Sequence, residues 1–113
     1  MKIIFSFLIS HFLFLISFSQ GYDPKKVGEK AGGLYSKAMN EISQNRNYKY
    51  AIQLMDEAIA IDPNFEDAWL SKGSAYAELK NYKSSVESFE KAKAIDAVYF
   101  QEFNLPYSIS LAG

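Results

Sequence analysis

The chain has the sequence NYKYAIQLMDEAIAID at residues 47–62 and the related sequence NYKSSVESFEKAKAID at residues 81–96. The two stretches lie 34 residues apart and share their first three residues and their closing Ala-Xaa-Ala-Ile-Asp. Residues outside them pair at the same offset, including Tyr35 with Trp69 and Phe65 with Tyr99. Self-similarity at a fixed period of this length is typical of a solenoid, in which each unit buries its apolar face against its neighbours.

Apolar residues inside the repeat recur with the period of an α-helix. Residues 48–61 place Ala51, Ile52, Met55 and Ala58 on one face, and residues 82–95 repeat the pattern. We predict helices over about 25–44, 48–61, 65–79 and 82–95. The caps are predicted to be Asp23-Pro24 for the first helix, Asn47 for the second and Asn64 for the third.

One set of spacings identifies the kind of repeat. Trp69, Gly73, Tyr76, Tyr82, Phe89 and Ala92 follow one another at intervals of 4, 3, 6, 7 and 3 residues, which resembles the tetratricopeptide repeat. The resemblance implies an all-α fold of antiparallel helix-turn-helix repeats, stacked as a short right-handed solenoid. Its units would be about 32–65 and 66–99, with an incomplete third unit at 100–113. In that third unit Phe103 fits a strict offset of 34 residues, whereas Asn104-Leu105-Pro106 fits better after a slip of one residue.

The N-terminus has the order of parts found in an export signal. Lys2 precedes an apolar run over residues 3–18, and these sixteen residues are fewer than the roughly 20 that a helix needs to cross a bilayer. Ser17 and Ser19 supply the small residues that signal peptidase prefers, which predicts cleavage between Ser19 and Gln20. We therefore expect a signal peptide at 1–19, a repeat domain at 20–113, and a location in the periplasm or outside the cell. The alternative is a membrane anchor formed by residues 3–18.

Composition disfavours several classes of function. Without the predicted signal peptide, which contains Lys2, the chain has 11 basic and 13 acidic side chains. The resulting formal charge of −2 would not attract nucleic acid. The chain has no cysteine, and its single histidine, His11, lies in the predicted signal peptide. The usual general base and the soft metal ligands are thus missing from the domain. We expect no enzyme activity, no catalytic residue, no metal, no cofactor and no small-molecule substrate.

The resemblance also implies where a partner would bind. In that family, protein or peptide ligands contact the inward-facing residues of the first helix of each unit, in a concave groove. Carried onto this chain, the positions are Ser36, Asn40, Ser43, Asp67, Leu70, Ser74 and Glu78. The carboxylate clamp found in some members is not expected, because only Asn40 matches its pattern. The predicted function is a non-enzymatic protein-binding scaffold in the cell envelope.

Two alternatives remain open at this point. The signal sequence followed by a few repeats is similar to the N-terminal part of bacterial envelope proteins that continue into propeller and peptidoglycan-binding domains. Alternatively, the apolar stretch after Tyr99 forms a face from Phe100 to Leu111 that buries itself in a dimer. That face would make the chain a self-assembling structural module.

Overall fold

The computed structural model describes residues 21–113, and every regular element in that range is helical. In chain order the elements are a 3₁₀ turn at Pro24–Lys26, α1 (Glu29–Asn40), a π-helical turn at Glu41–Asn45, α2 (Tyr48–Ile61), α3 (Glu66–Glu78), α4 (Tyr82–Ile95), α5 (Ala97–Phe100), a 3₁₀ turn at Gln101–Phe103 and α6 (Asn104–Ala112). Helix α1 packs on α2 and α3 packs on α4, while α2 contacts α3 and α4 contacts α6. This is the predicted all-α stack of antiparallel helix pairs. The predicted signal peptide lies outside the described residues.

The turn inside each helix pair is the same in both units. Arg46 and Lys80, which are repeat equivalents, both have left-handed backbone conformations, with φ of 51° and 61°. The residue after each one caps the following helix, since the side chain of Asn47 accepts from Tyr50 N and that of Asn81 accepts from Ser84 N. The predicted cap at Asn47 is confirmed. Repeated sequence thus produces repeated turn geometry.

Two of the predicted helix starts are wrong. The first helix begins at Glu29 because Gly28 is extended (φ −62°, ψ 154°), and Asp23 caps only the short 3₁₀ turn through Lys25 N. The third helix begins at Glu66, and its cap position is occupied by Phe65 without a side-chain hydrogen bond. Asn64 instead donates its backbone N–H to Asp62 Oδ1 at 3.1 Å. It therefore belongs to the turn that Asp62 organises.

Helices α3 and α4 approach each other closely at a glycine. A Cβ added at Gly73 would lie 3.0 Å from three ring carbons of Phe89, which is 0 % exposed. At the same place Ser85 Oγ donates to the carbonyl oxygen of Gly73 at 2.7 Å. Ser85 Oγ also lies 2.8 Å from Ser110 Oγ. Because its one hydrogen goes to Gly73, the hydroxyl of Ser110 is the donor to Ser85, and this bond joins α6 to α4.

The third unit follows the slipped register. In the second unit Lys72 Nζ pairs with Asp56 Oδ1 of the preceding pair at 2.6 Å. In the third, Tyr107 donates its hydroxyl to Glu90 Oε1 at 2.9 Å. Asp56 and Glu90 are 34 residues apart, whereas Lys72 and Tyr107 are 35 apart. This pair of contacts agrees with the slip of one residue, the alternative that Asn104-Leu105-Pro106 fits better.

The packing at the end of the chain differs from the apolar face predicted for Phe100 to Leu111. Phe100 is 1 % exposed and packs in a cluster with Leu70, Phe89 and Ala92, so it is a core residue and does not belong to an open face. The apolar side chains that remain exposed are Val98, Leu105, Ile109 and Leu111, at 74 %, 71 %, 58 % and 56 %. We call these four residues the terminal apolar patch.

Candidate partner-binding groove

The seven residues predicted to line the groove differ widely in exposure. Ser36, Asn40, Ser43, Ser74 and Glu78 are exposed, Asp67 is half-buried, and Leu70 is 1 % exposed. Asn40 and Ser74 are repeat equivalents on α1 and α3. The two helices are joined by side chains, because the Tyr35 hydroxyl lies 3.0 Å from Ser71 Oγ and the Tyr35 ring packs against Phe65 at 5.0 Å. Small polar groups are thus available to a partner on both helices.

Leu70 does not line an open surface. Its side chain lies in the cluster formed with Phe89, Ala92 and Phe100. The close approach at Gly73 brings α4 over this side of α3 and covers Leu70. The prediction that Leu70 contacts a partner is wrong for this reason.

Asp67 is engaged by the chain's own tyrosines. Tyr99 donates its hydroxyl to Asp67 Oδ1 at 2.7 Å, and Tyr22 donates its hydroxyl to Oδ2 at 3.0 Å. The rings of Tyr22 and Tyr99 meet edge to face with centroids 5.0 Å apart. Burial raises the pKa of both phenols well above the usual value, so both remain donors at neutral pH. Both carboxylate oxygens of a predicted groove residue therefore already have partners.

Tyr22 belongs to a segment that crosses to the end of the second unit. We define residues 21–27 as the N-terminal strap. The Tyr22 backbone N–H donates to Asp96 Oδ2 at 2.9 Å, while Tyr22 and Val27 pack against the buried cluster of Ala31, Ala58, Phe65 and Ala68. Asp96 Oδ1 accepts the N–H groups of Val98 and Tyr99, which caps α5. These hydrogen bonds lower the pKa of Asp96, and the bond from the Tyr22 N–H has the largest effect. The Asp96 carboxylate therefore remains charged.

Glu66 is a buried acid next to these carboxylates. It is the first residue of α3 and is 0 % exposed, and neither carboxyl oxygen has a hydrogen-bond partner among residues 21–113. Burial raises its pKa to about 8, and the negative charges of Asp96 and Asp67 add to the effect. At neutral pH the protonated form of Glu66 is therefore the favoured one.

A cavity of about 630 Å³ lies between the strap and the second unit. Its lining includes Tyr22, Lys26, Val27, Trp69 and Lys91, and none of the seven predicted groove residues. The indole N–H of Trp69 donates to the carbonyl oxygen of Pro63 at 3.0 Å, which fixes the ring at the cavity wall. The sole tryptophan of the chain thus lies beside the strap.

The side chains at this site supply hydrogen-bond donors and acceptors and aromatic surfaces. Residues 21–113 contain neither histidine nor cysteine, and in that range no group of acidic side chains is arranged to hold a metal ion. Across the same range no helix is both long and apolar enough to span a membrane. The described surface offers hydroxyls, carboxylates and aromatic edges.

Sequence reasoning missed four residues of this site: Tyr22, Glu66, Asp96 and Tyr99. Tyr99 was visible as the repeat equivalent of Phe65, and its extra hydroxyl was the signal for a polar role. Tyr22 precedes the repeats, so no period marks it. Its contact with Asp67 spans 45 positions and depends on how the strap crosses the stacked units.

Comparison with known proteins agrees with the fold. Residues 66–99 match the family model described as Tetratricopeptide repeat. The chain is also similar to the Small glutamine-rich tetratricopeptide repeat-containing protein 2 of Saccharomyces cerevisiae, with 31% identity over 65 residues. That alignment covers 58% of this chain and 19% of the yeast protein, so the chain spans about a fifth of this relative's length. No significant match was found among solved structures. Together with the repeated helix pairs of the fold, these matches support a tetratricopeptide repeat at residues 66–99, and such repeats generally mediate interactions between proteins.

Proposed function

We propose that this chain is a non-enzymatic scaffold that binds a segment of a partner protein in the groove lined by α1 and α3. The observation that carries the proposal is the pair of exposed polar side chains at repeat-equivalent positions, Asn40 on α1 and Ser74 on α3. Their helices are held rigidly by Ala38, Met55 and Ala75, which are 0–1 % exposed. A preorganised surface loses little conformational entropy when a segment docks on it.

A capture experiment with groove variants tests this function. The chain would be immobilised and compared with a variant carrying Ser36→Ala, Asn40→Ala, Ser74→Ala and Glu78→Ala, all exposed positions that leave the core unchanged. A matched control would change exposed residues of the second helices, Gln53→Ala and Glu87→Ala. We expect the groove variant to lose its partner and the control to keep it. Equal capture by all three chains would show that the partner binds outside the groove lined by α1 and α3.

We further propose that the scaffold acts after export, in the periplasm or outside the cell. The proposal rests on Lys2, the apolar run over residues 3–18 and the small residues Ser17 and Ser19. Expression of the full chain in a bacterium followed by mass measurement of the product tests it. Export predicts a product that begins at Gln20 in the periplasmic fraction, and an intact chain in the membrane fraction would favour the anchor.

Self-association is a second candidate function, favoured by the terminal apolar patch. Leu105 and Ile109 lie one helical turn apart on α6 and are both more than half exposed. Contiguous exposed apolar side chains mark protein contacts in many soluble proteins. Sedimentation at two concentrations compares the chain with the variant Leu105→Glu, Ile109→Glu. A concentration-dependent dimer that the variant abolishes would support this role, and a monomer at the higher concentration would exclude it.

A further inference from the structure

The strap contacts both ends of the second unit in the way that a bound peptide segment would. Its Tyr22 supplies a backbone N–H to Asp96, a phenol to Asp67 and a ring edge to Tyr99. Asp23, the next residue, has an extended backbone with φ −125° and ψ 110°. One extended segment thus makes a main-chain contact, a side-chain contact and an aromatic contact with α3 and with the start of α5.

The path of the strap depends on a glycine. Gly21 has φ +79°, and a Cβ at this residue would lie 2.8 Å from Asp96 Oδ2. Other residues rarely adopt that φ, and a side chain here would press on the carboxylate that accepts the Tyr22 N–H. The fit between the strap and Asp96 is therefore specific to this sequence.

Between Tyr22 and Val27 the strap residues make few contacts with the rest of the chain. Asp23, Pro24, Lys25 and Lys26 are all exposed. Their hydrogen bonds are local ones, from Lys25 N and Lys26 N to Asp23 and from Val27 N to Pro24. Segments with few buried contacts open at a lower free-energy cost than the core. Opening of the strap is therefore expected to cost less free energy than unfolding of the helix pairs.

We propose that the strap is the internal occupant of a segment-binding site formed by Asp67, Asp96 and Tyr99, and that the site accepts an extended partner segment carrying a tyrosine once the strap leaves. This inference rests on the proposed binding function and adds a ligand chemistry and a control to it. The partner's tyrosine takes the place of Tyr22, with its hydroxyl on Asp67 and its own backbone N–H on Asp96.

The charges of the site favour this ligand over others. Asp67 and Asp96 both accept hydrogen bonds, so an acidic segment is repelled and a donor is required. The edge-to-face contact with Tyr99 requires an aromatic ring at the same residue. Tyrosine supplies both the donor and the ring. Because the strap is tethered, its effective concentration is on the order of millimolar, so a weaker free segment cannot enter until the strap is released.

The strap itself provides the probe for a test. The acetylated and amidated peptide of residues 21–27, GYDPKKV, is titrated into the full chain and into its Tyr22→Ala variant. Fluorescence of Trp69, which lines the cavity beside Tyr22 and Val27, reports strap opening and peptide binding. Amide hydrogen exchange over residues 21–27 reports opening independently. The matched control variant is Tyr107→Phe, which removes a phenol from Glu90, leaves the strap and its site unchanged, and should leave strap exchange and peptide affinity as in the parent chain.

The expected results follow from the geometry. In Tyr22→Ala the strap amides exchange faster, Trp69 emission shifts to the red, and the peptide binds at least tenfold more tightly than to the parent chain. The peptide with Phe in place of Tyr, and the double variant Tyr22→Ala, Asp67→Ala, both show weaker binding. Circular dichroism confirms that the variants keep their helices. Tyr22→Phe, which keeps the ring in the apolar cluster, is the second variant should Tyr22→Ala unfold.

Three outcomes would overturn the inference. The first is that the peptide binds the parent chain and the Tyr22→Ala chain with equal affinity. The second is that no peptide binds although the strap amides exchange freely. The third is that amide protection of the strap is unchanged in both Tyr22 variants. None of these measurements uses a partner protein. A failure of the proposed function would instead appear as unchanged capture by the groove variant described above, with the peptide result intact.

Discussion

The hydroxyl of Tyr22 donates to Asp67 Oδ2 across 3.0 Å, although the two residues are 45 positions apart in the chain. Tyr99 donates to the other oxygen of the same carboxylate at 2.7 Å. One acidic side chain therefore ties the N-terminal strap to the junction of the second and third units.

The two phenols that donate to Asp67 should contribute differently to stability, Tyr99 to the whole fold and Tyr22 mainly to the strap. A hydrogen bond to a charged group contributes about 1.5–3 kcal/mol, and partial exposure of this site places the expected loss near the lower end. Tyr99→Phe should lower the free energy of unfolding by about 1–2 kcal/mol, measured by urea denaturation. Tyr22→Phe should cost less globally and mainly speed amide exchange in the strap. Equal global losses would show that the strap unfolds only together with the core.

Substitution by alanine should lower the stability of the chain at Gly73 and raise it at Gly33. Alanine favours a helix over glycine by up to about 1 kcal/mol. At Gly33 an added Cβ meets nothing within 4 Å, so Gly33→Ala should stabilise the chain. At Gly73 it meets the Phe89 ring at 3.0 Å, and overpacking of about 1–3 kcal/mol should make Gly73→Ala destabilising. Thermal unfolding of both variants checks the signs, and stabilisation by both would mean that α4 moves freely away from α3.

Glu66 should make the chain less stable as the pH rises. Its pKa is raised to about 8 in the fold from an ordinary value of 4.5, so the folded state binds more protons than the unfolded state between these values. Stability is therefore greatest below about pH 4.5 as far as this group is concerned. It falls by up to about 1.4 kcal/mol per pH unit until the folded pKa is passed.

The variant Glu66→Gln isolates this effect. It cannot ionise, so its free energy of unfolding should change less than that of the parent between pH 5 and pH 8.5. Glu29→Gln is the matched control, because Glu29 is also the first residue of its helix but is exposed. Parallel pH profiles for parent and Glu66→Gln would show that Glu66 is ionised in the folded chain at neutral pH.

The third unit gives a direct contrast between two of its apolar residues. Phe100 is 1 % exposed, and loss of a buried phenylalanine side chain costs about 3–5 kcal/mol. Leu105 is 71 % exposed, and a surface substitution of this kind changes stability by about 0.5 kcal/mol or less. Urea denaturation of Phe100→Ala and Leu105→Ala should reproduce this difference. A large loss for Leu105→Ala at micromolar protein would indicate that the terminal apolar patch is covered by a second copy.

Much of the fold was predictable because it is periodic. Residues 47–62 and 81–96 carry the same turn and cap residues, and the structure uses Asn47 and Asn81 identically. The slip in the third unit was visible at Asn104-Leu105-Pro106, but choosing it required the contact between Tyr107 and Glu90. Periodicity therefore predicts helices and their pairing, while the register of an unfinished unit depends on tertiary contacts.

The candidate site was less predictable. Leu70 was assigned to the groove from its position in the unit, and the actual packing of Phe89 buries it. The contact from Tyr22 was not foreseen, because the strap has no counterpart in the repeat and its location depends on a hydrogen bond to Asp96. Asp67 was assigned to the groove from its position on α3, but its two hydrogen-bond partners lie 32 and 45 residues away in the chain and could not be inferred from the repeat.

Site-specific photo-crosslinking tests the central claim, which is that a partner segment binds along α1 and α3. A photoreactive amino acid would be placed at Ser74 in the parent chain and in Tyr22→Ala, with position 87 on α4 as the exposed control. We predict partner crosslinks from position 74 that become stronger when the strap is opened, and none from position 87. Crosslinks from position 87 alone, or equal yields from both positions, would contradict the account.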